Sequence, residues 1–532
     1  MTMLYKIREL MRSHRLFFPI LIFSGLVFSP FLGEHWVHDS YLIARYGYGY
    51  MIPRLLNQGR VISSLFLRGL NAVSMPYIPA MAFSVSLSLV FLSLASYTVF
   101  LMAKEQGLSG KMASVLALIG SAGIFFNLFV VETLMFYENA VMSFGALCAA
   151  LAARSTLRGK YVPAVIFAVI CVFCYQAVIA YYLPLVLLFK ARRRKVRQVS
   201  CSIANYLMAS PNKIIAFAIY ALALASNYIF VRMVSMDARV TGTISYRSNI
   251  RGCYEAVIRF LRTTLGLTPT FLFTAFIVAF AVIILFNAFK SRTAWTVVRT
   301  VLAGGALVGC AMVPHVMMSY FYVMPRSAVG MAGLGGLLIV AMSSTRGALL
   351  DGENAHGPNP GDAGLANGHD FSSESDAKDP ARKKGSIGIV PRIVSLALAS
   401  IFTLTIAWFQ LDMQVSSIRN NKLDAAEIAV AADIIRRYEE ESGIVVTHIY
   451  VLRDSRTIFR RDDFRNYGDL TIRALSVSWM IAPHLSDALG RELQGLPTPE
   501  GAYERLVAGH EWYEFSPEQL MFEDAFLYFC IY

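Results

Sequence analysis

Residues 1–350 contain only eight carboxylates. Six of them, Glu34, Asp39, Glu132, Glu138, Asp237 and Glu255, stand at or near the ends of long apolar runs. Charge kept beside hydrocarbon is costly, and it marks places where ions, protons or substrates are handled. A carboxylate in such a place can take the proton of an attacking hydroxyl. Arginines at the same level, Arg60, Arg247 and Arg326, can hold a phosphate with several donors each. Together these groups could transfer a group from a phosphate ester to a hydroxyl: one acid as base, and cations where charge collects on the leaving oxygen.

Asp39, beside His38 in the first exterior loop, is the preferred base. Glu138 follows as partner, sugar ligand or alternative base. It lies six residues after Glu132 in NLFVVETLMFYEN, residues 127–139. Glu132, His38 and Glu34 come after it, because a carboxylate at a helix start has an ordinary electrostatic reason to be there. The arginines could equally snorkel to headgroups. Tyr175 and Gln176 mark a polar break in the apolar run 161–189. Gln176 could bind a sugar hydroxyl or satisfy freed backbone. Tyr46, Tyr48 and Tyr50 could stack on sugars or form an interfacial belt.

The elements that must position these groups are membrane helices. The chain of 532 residues is 56% hydrophobic with a mean hydropathy of +0.53, against roughly 45–50% apolar in soluble proteins. Crossing hydrocarbon takes about 20 helical residues. Spans are expected near 16–33, 76–102, 113–131, 139–153, 214–235, 269–289, 297–320, 325–343 and 391–411. The short fourth span suggests a helix starting near Thr133, with Glu138 one to two turns below the surface. Residues 161–189 are flanked by basic loops on both sides. A single span would place Arg192–Arg197 outside, against the inside bias of such loops. Two short helices meeting near Tyr175–Gln176 avoid this, and broken helices are tolerated where protein shields them. The fold class is therefore a polytopic all-α membrane protein with about 11 spans (10–12) and a small C-terminal extracytoplasmic α/β domain. Residues 1–345 form the membrane module.

Lys6, Arg8, Arg12 and Arg15 place the N-terminus in the cytoplasm. The exterior segments are then 34–75 and 236–268, and from Cys253 to Leu265 the pattern fits an interfacial helix. Residues 346–390 read as a disordered cytoplasmic loop, too polar to offset ordering entropy. The tail 412–532 carries a net charge of −8, while the remainder carries +21. That excess suits cytoplasmic flanks, anionic headgroups or a phosphate substrate, and is no nucleic-acid signal. In the tail, 421–442 reads as a surface helix stopped by Gly443, and 444–452 as a buried strand. The seven cysteines have no zinc or disulfide spacing, and Cys171 and Cys174 read as structural. The run Leu16–Leu32 lacks a following small-residue cleavage site and reads as a retained helix. The lack of a Gly-rich nucleotide loop disfavours an ATP-driven pump.

Three stretches carry a resemblance. They are HDSYLIARYGYGYMIPRLLNQGRVISSLFLRGLN (38–71), NLFVVETLMFYENAVM (127–142) and CVFCYQAVIAYYLPLVLLF (171–189). With them, residues 15–345 resemble the bacterial GtrII-like O-antigen glucosyltransferase family, membrane-embedded enzymes of the GT-C type. Tyr137-Glu138 stands where the family often has Phe-Asp, no proline follows Asn127, and the tail is not covered. The resemblance implies a GT-C-like fold and transfer of a sugar, usually glucose, from undecaprenyl phosphate to a surface glycan such as O-antigen. The reaction would run at the periplasmic face of the bacterial inner membrane, with the catalytic acid in the first exterior loop, where Asp39 stands. A flippase and a donor-synthesising synthase would be pathway partners. No cofactor is required by the sequence, and a divalent cation bridging Asp39 and the phosphate is compatible with it. A lipid-linked sugar transporter or flippase shares broken helices and intramembrane charge. A scaffold whose tail binds a partner is a third reading.

Overall fold

The computed structural model describes residues 15–108, 110–189, 211–234, 242–291, 294–319, 321–344, 389–453 and 473–531, the last apart from 511, 513 and 514, together with Tyr467 and Leu470. The expected cytoplasmic loop, the basic cluster Arg192–Arg197 and Lys6, Arg8 and Arg12 lie outside the described residues.

The protein is a mostly helical, multi-span membrane protein. Its helices are Phe17–Val27 (α1), His38–Tyr46 (α2), Tyr48–Asn57 (α3), Val61–Ala72 (α4), Tyr77–Glu105 (α5), Lys111–Phe125 (α6), Val130–Met135 (α7), Asn139–Leu157 (α8), Tyr161–Cys174 (α9), Tyr182–Leu188 (α10), Pro211–Val234 (α11), Tyr246–Thr263 (α12), Leu272–Ser291 (α13), Ala294–Val316 (α14), Leu334–Ser344 (α15), Ile389–Ser442 (α16), Ser478–Leu489 (α17) and Ala502–Leu506 (α18). Among the described residues seven stretches are long and apolar enough to cross a membrane: Tyr77–Glu105, Asn139–Leu157, Pro211–Val234, Leu272–Phe289, Trp295–Val316, Arg326–Ser343 and Val390–Ser442. The expected count of about 11 also used shorter apolar helices, among them α1, α6, α9 and Gln176–Leu188. The chain also breaks within apolar sequence at two places. At Tyr175 the backbone is extended (φ −164°, ψ 121°), and at Phe136 it is again extended (φ −87°, ψ 148°).

The break at Tyr175 doubles the chain back. Tyr161 at the start of α9 donates to Asn212 Oδ1 at 2.8 Å, and Asn212 Nδ2 donates to Thr156 O at 3.1 Å. After the turn, the Tyr182 hydroxyl meets Thr156 Oγ1 at 2.9 Å. Both ends of the segment thus reach the same end of α8. The freed backbone is enclosed by protein, which makes a break affordable in an apolar setting.

Helices α6 and α15 meet backbone to backbone. A Cβ on Gly336 would stand 2.3 Å from the Gly123 carbonyl carbon and the Ile124 nitrogen, and one on Gly120 2.7 Å from Val340 N. Small residues allow such approach where lipid supplies no hydrophobic drive for helix association. Gly336→Ala is expected to cost about 1–3 kcal/mol by overpacking. A thermal melt in detergent would read it, and an unchanged midpoint would refute the close contact.

The final span and the tail helix are one element. Residues 391–411 and 421–442 were expected to be separate, because charge sets in at Asp412. Instead α16 runs 54 residues without a break, a length of about 80 Å at 1.5 Å per residue. No glycine or proline interrupts it after Pro391. Its polar middle is buried and partnered: Gln410 Nε2 donates to Phe126 O (3.1 Å) and Asn127 O (2.8 Å), and Gln414 Nε2 donates to Val27 O at 3.0 Å. Polarity there reflects protein contact and does not end the helix. Its last turns pack Ile428, Ala431 and Ile435 against a small mixed sheet. The sheet has His448–Arg453 (β1), Gln494–Leu496 (β2), Leu520–Glu523 (β3) and Phe526–Ile531 (β4), in the order β2-β1-β4-β3. Strand β1 is parallel to β2 and β4, while β3 and β4 are antiparallel. Buried Arg473 bridges Asp424 and Glu427 of α16.

Candidate functional site

Glu138 is not inside a helix begun near Thr133. It is the residue before the first turn of α8, after the extended residue Phe136. Two buried acids therefore flank this turn, Glu132 inside α7 and Glu138 just before α8. Asn139 fixes the loop: its Nδ2 donates to Leu134 O at 2.7 Å, and its Oδ1 accepts from Ser84 (2.5 Å) and Ser88 (2.9 Å) of α5.

Each acid holds one arginine. Glu132 accepts from the Arg326 backbone N–H at 2.8 Å with one oxygen and from its guanidinium with the other. Arg326 stacks on the Phe136 ring, 4.2 Å from its centroid. Glu138 binds the Arg60 guanidinium through one oxygen, and Arg60 stacks on Tyr175 at 4.6 Å. The two arginine side chains are 20% and 19% exposed, whereas the glutamates are 2% and 1% exposed. The acids are sealed inside and the cations reach an open surface. Arg60 and Arg326 are near enough to repel, and Tyr175 lies within electrostatic reach of all four charges.

The geometry separates the roles of the two acids. Both Glu132 oxygens are engaged by Arg326, so Glu132 locks that turn. Among the described residues Glu138 Oε2 and Arg60 Nε are buried without a partner. A buried polar atom left open costs about 1–3 kcal/mol, and such atoms on a partly exposed arginine pair suit a ligand's hydroxyl or phosphate.

Arg60 is positioned by a tight turn. Gly59 has φ +75°, and a Cβ there would meet Val231 at 2.4 Å and Asn227 at 2.9 Å. Asn227 Nδ2 donates to Gly59 O at 2.9 Å, while Gln176 Nε2 donates to Gln58 O (2.6 Å) and Asn227 Oδ1 (3.0 Å). The Gln176 amide donors thus hold the turn that carries Arg60.

Asp39 is half-buried in the first turn of α2. Among the described residues no cation forms an ion pair with it. It acts electrostatically on Arg326 and on Tyr137, which puts it within charge reach of the Arg326–Glu132 pair. The Tyr137 phenol is pushed up by burial first, then by the Glu138 and Asp39 carboxylates, so it stays protonated. The Asp39 loop is clamped from α16. Asn421 accepts from Trp36 N (2.8 Å) and donates to Trp36 O (3.0 Å), and the Trp36 ring stacks on Tyr41 and Tyr77, each at 4.9 Å.

The tail also grips α2. Arg45 meets Asp487 of α17 at 3.3 Å, and the His484 ring lies 4.2 Å from that of Tyr41. Burial lowers His484 to about 4. The native state therefore binds fewer protons than the unfolded state between about pH 4 and 6.5, and stability falls as pH falls through that window. The contribution is complete above about pH 6.5 and its loss amounts to at most about 3 kcal/mol. Hydrogen exchange at residues 34–46 is expected to quicken between pH 7 and 4.5, relative to a His484→Phe variant. Equal acceleration in both proteins would remove His484 from the account.

The structure thus brings together Asp39, Glu132, Glu138, Arg60, Arg326 and Tyr175. Arg247 is exposed in the first turn of α12, apart from the groups named here, and the His38 side chain lies outside the described residues. Sequence reasoning missed Phe136 and Tyr137 and the positioning amides Asn227, Asn139 and Asn421. The signal for Asn227 and Asn139 was polarity at apolar runs, and Asn421, in a polar stretch, gave none. Among the described residues no group of three or more His, Cys, Asp or Glu could hold a metal ion. No family model matches the chain, and no curated protein or solved structure matches it.

Proposed function

We propose that the protein is a GT-C-like glycosyltransferase of about 11 crossings that moves a sugar, glucose by resemblance, from a polyprenyl-phosphate carrier to a surface glycan such as O-antigen. The reading places the reaction at the periplasmic face of a bacterial inner membrane. The observation that carries it is two partly exposed arginines held by buried glutamates, with Asp39, half-buried and without an ion pair among the described residues, within charge reach of Arg326.

The chemistry divides among these groups. The acceptor hydroxyl oxygen attacks the anomeric carbon from the face opposite the phosphate. The bond from that carbon to the phosphate oxygen breaks, and its electron pair leaves with polyprenyl phosphate. The hydroxyl proton passes to Asp39, which is the acid left free to take it. Arg60 and Arg326 receive the phosphate as its charge grows, already oriented by Glu138 and Glu132 and by stacking on Tyr175 and Phe136. The open Glu138 oxygen can accept a sugar hydroxyl.

The test is turnover by the purified, reconstituted protein supplied with undecaprenyl-phosphate glucose and a lipid-linked glycan acceptor. Release of undecaprenyl phosphate together with a new glycosidic bond supports the reading. Movement of the donor between leaflets without bond formation would replace it with the transporter reading, and neither activity with any sugar donor would reject both.

A further inference from the structure

Helix α12 has one face packed on the protein and another without a protein partner among the described residues. Asn249, Cys253, Ala256 and Phe260 are buried. Asn249 Nδ2 donates to Val316 O (3.1 Å) and Met318 O (2.6 Å) at the end of α14. The Phe260 ring lies 5.8 Å from Phe129, and a Cβ on Gly252 would stand 2.5 Å from the Phe321 ring. This face is therefore seated on the chain just before Glu132 and just before Arg326.

The outer surface is divided lengthwise. Tyr246, Ile250, Tyr254 and Ile258 recur every fourth residue and are 51%, 58%, 67% and 39% exposed. At about 100° per residue they form one stripe with Arg247 inside its edge, and Arg251, Arg262 and Arg259 fall on the flank beyond it. Those arginines and Arg247 are exposed. Four arginines against the single Glu255 leave α12 with a charge of +3. A stripe of exposed tyrosine and isoleucine is not solvent-facing by chance. Eight residues after α12 ends, α13 begins as a membrane span, with Val278, Val282, Leu285 and Phe286 exposed on its outside. The bilayer surface is thus beside α12.

We infer that α12 lies in the lipid interface, with its Tyr–Ile stripe in the leaflet and its arginines on the phosphates of anionic phospholipids. Tyrosine suits the headgroup level, and clustered arginine there is drawn to anionic lipid. The occupant is the leaflet itself, named by continuity with α13 and by charge. The inference is independent of the sugar-transfer reading, although it would tie the membrane surface to the segments that carry Glu132 and Arg326.

Nitroxide labels at 250, 254 and 251 of the full chain in nanodiscs test it, with Cys201 replaced by Ser, since the described cysteines are buried. Labels at 250 and 254 should collide several-fold more with oxygen than with a water-soluble nickel complex, and the label at 251 should not. Replacing a third of the phosphatidylcholine by phosphatidylglycerol should deepen the label at 254, and R259E/R262E should cancel that shift. Labels at 250 and 254 as open to nickel as 251 would overturn the inference and leave the stripe for a protein partner. Deepening that survives the charge reversal would overturn its anionic-lipid part.

Discussion

Asp39→Asn should lower turnover by about 10²–10⁴-fold, the usual contribution of a general base, with stability held to within about 0.5 kcal/mol. The expectation rests on what Asp39 lacks. Glu132 and Glu138 each hold a partly exposed arginine, so neutralising either disturbs an ion pair as well as the chemistry. Asp39 is half-buried in the first turn of α2 and has no ion pair among the described residues. Asparagine keeps its shape and its place at a helix start, and removes only the capacity to accept a proton. Loss of turnover with an unchanged melting midpoint therefore assigns a chemical role. Equal turnover would remove Asp39 as base and move the question to the open oxygen of Glu138.

The acids were legible because hydrocarbon tolerates few of them, so position alone singled out Asp39, Glu132 and Glu138. Their partners were not. Arg60 and Glu138 are 78 residues apart, and Arg326 and Glu132 are 194 apart. Hydropathy gives depth along a span and not azimuth around it, so nothing local says which arginine faces which acid. The continuity of α16 was hidden for a related reason. The chain from Asp412, Gln414 included, reads as the start of a soluble tail, yet Gln414 is buried against a backbone carbonyl of the membrane module, as is Gln410 just before it. The seam of Gly120 and Gly336 was equally silent, since a glycine in an apolar run looks the same whether it faces lipid or another backbone. Where local polarity had a local cause, as at Tyr175, the break was visible in advance.

The Arg326–Glu132 pair separates structure from function most sharply. Arg326→Met takes from Glu132, 1% exposed, the guanidinium that pairs with it. Breaking a buried pair from one side costs about 3–5 kcal/mol, because the remaining charge is uncompensated. A melt should show that loss outright. Adding Glu132→Gln removes the stranded charge, and replacement of a buried pair by neutral groups is often close to neutral for stability. The double variant should therefore recover most of the melting midpoint. Turnover should not recover with it. If Arg326 holds the donor phosphate, its loss removes charge-assisted hydrogen bonds of about 1.5–3 kcal/mol, about 10- to 100-fold in kcat/KM for the lipid donor. A double variant restored in both stability and turnover would make the pair a brace for the turn at Pro325–Ala328 and leave Arg60 as the only phosphate ligand of the two. Recovery of stability alone assigns Arg326 to the donor, because the fold would then be intact while the site stayed incomplete.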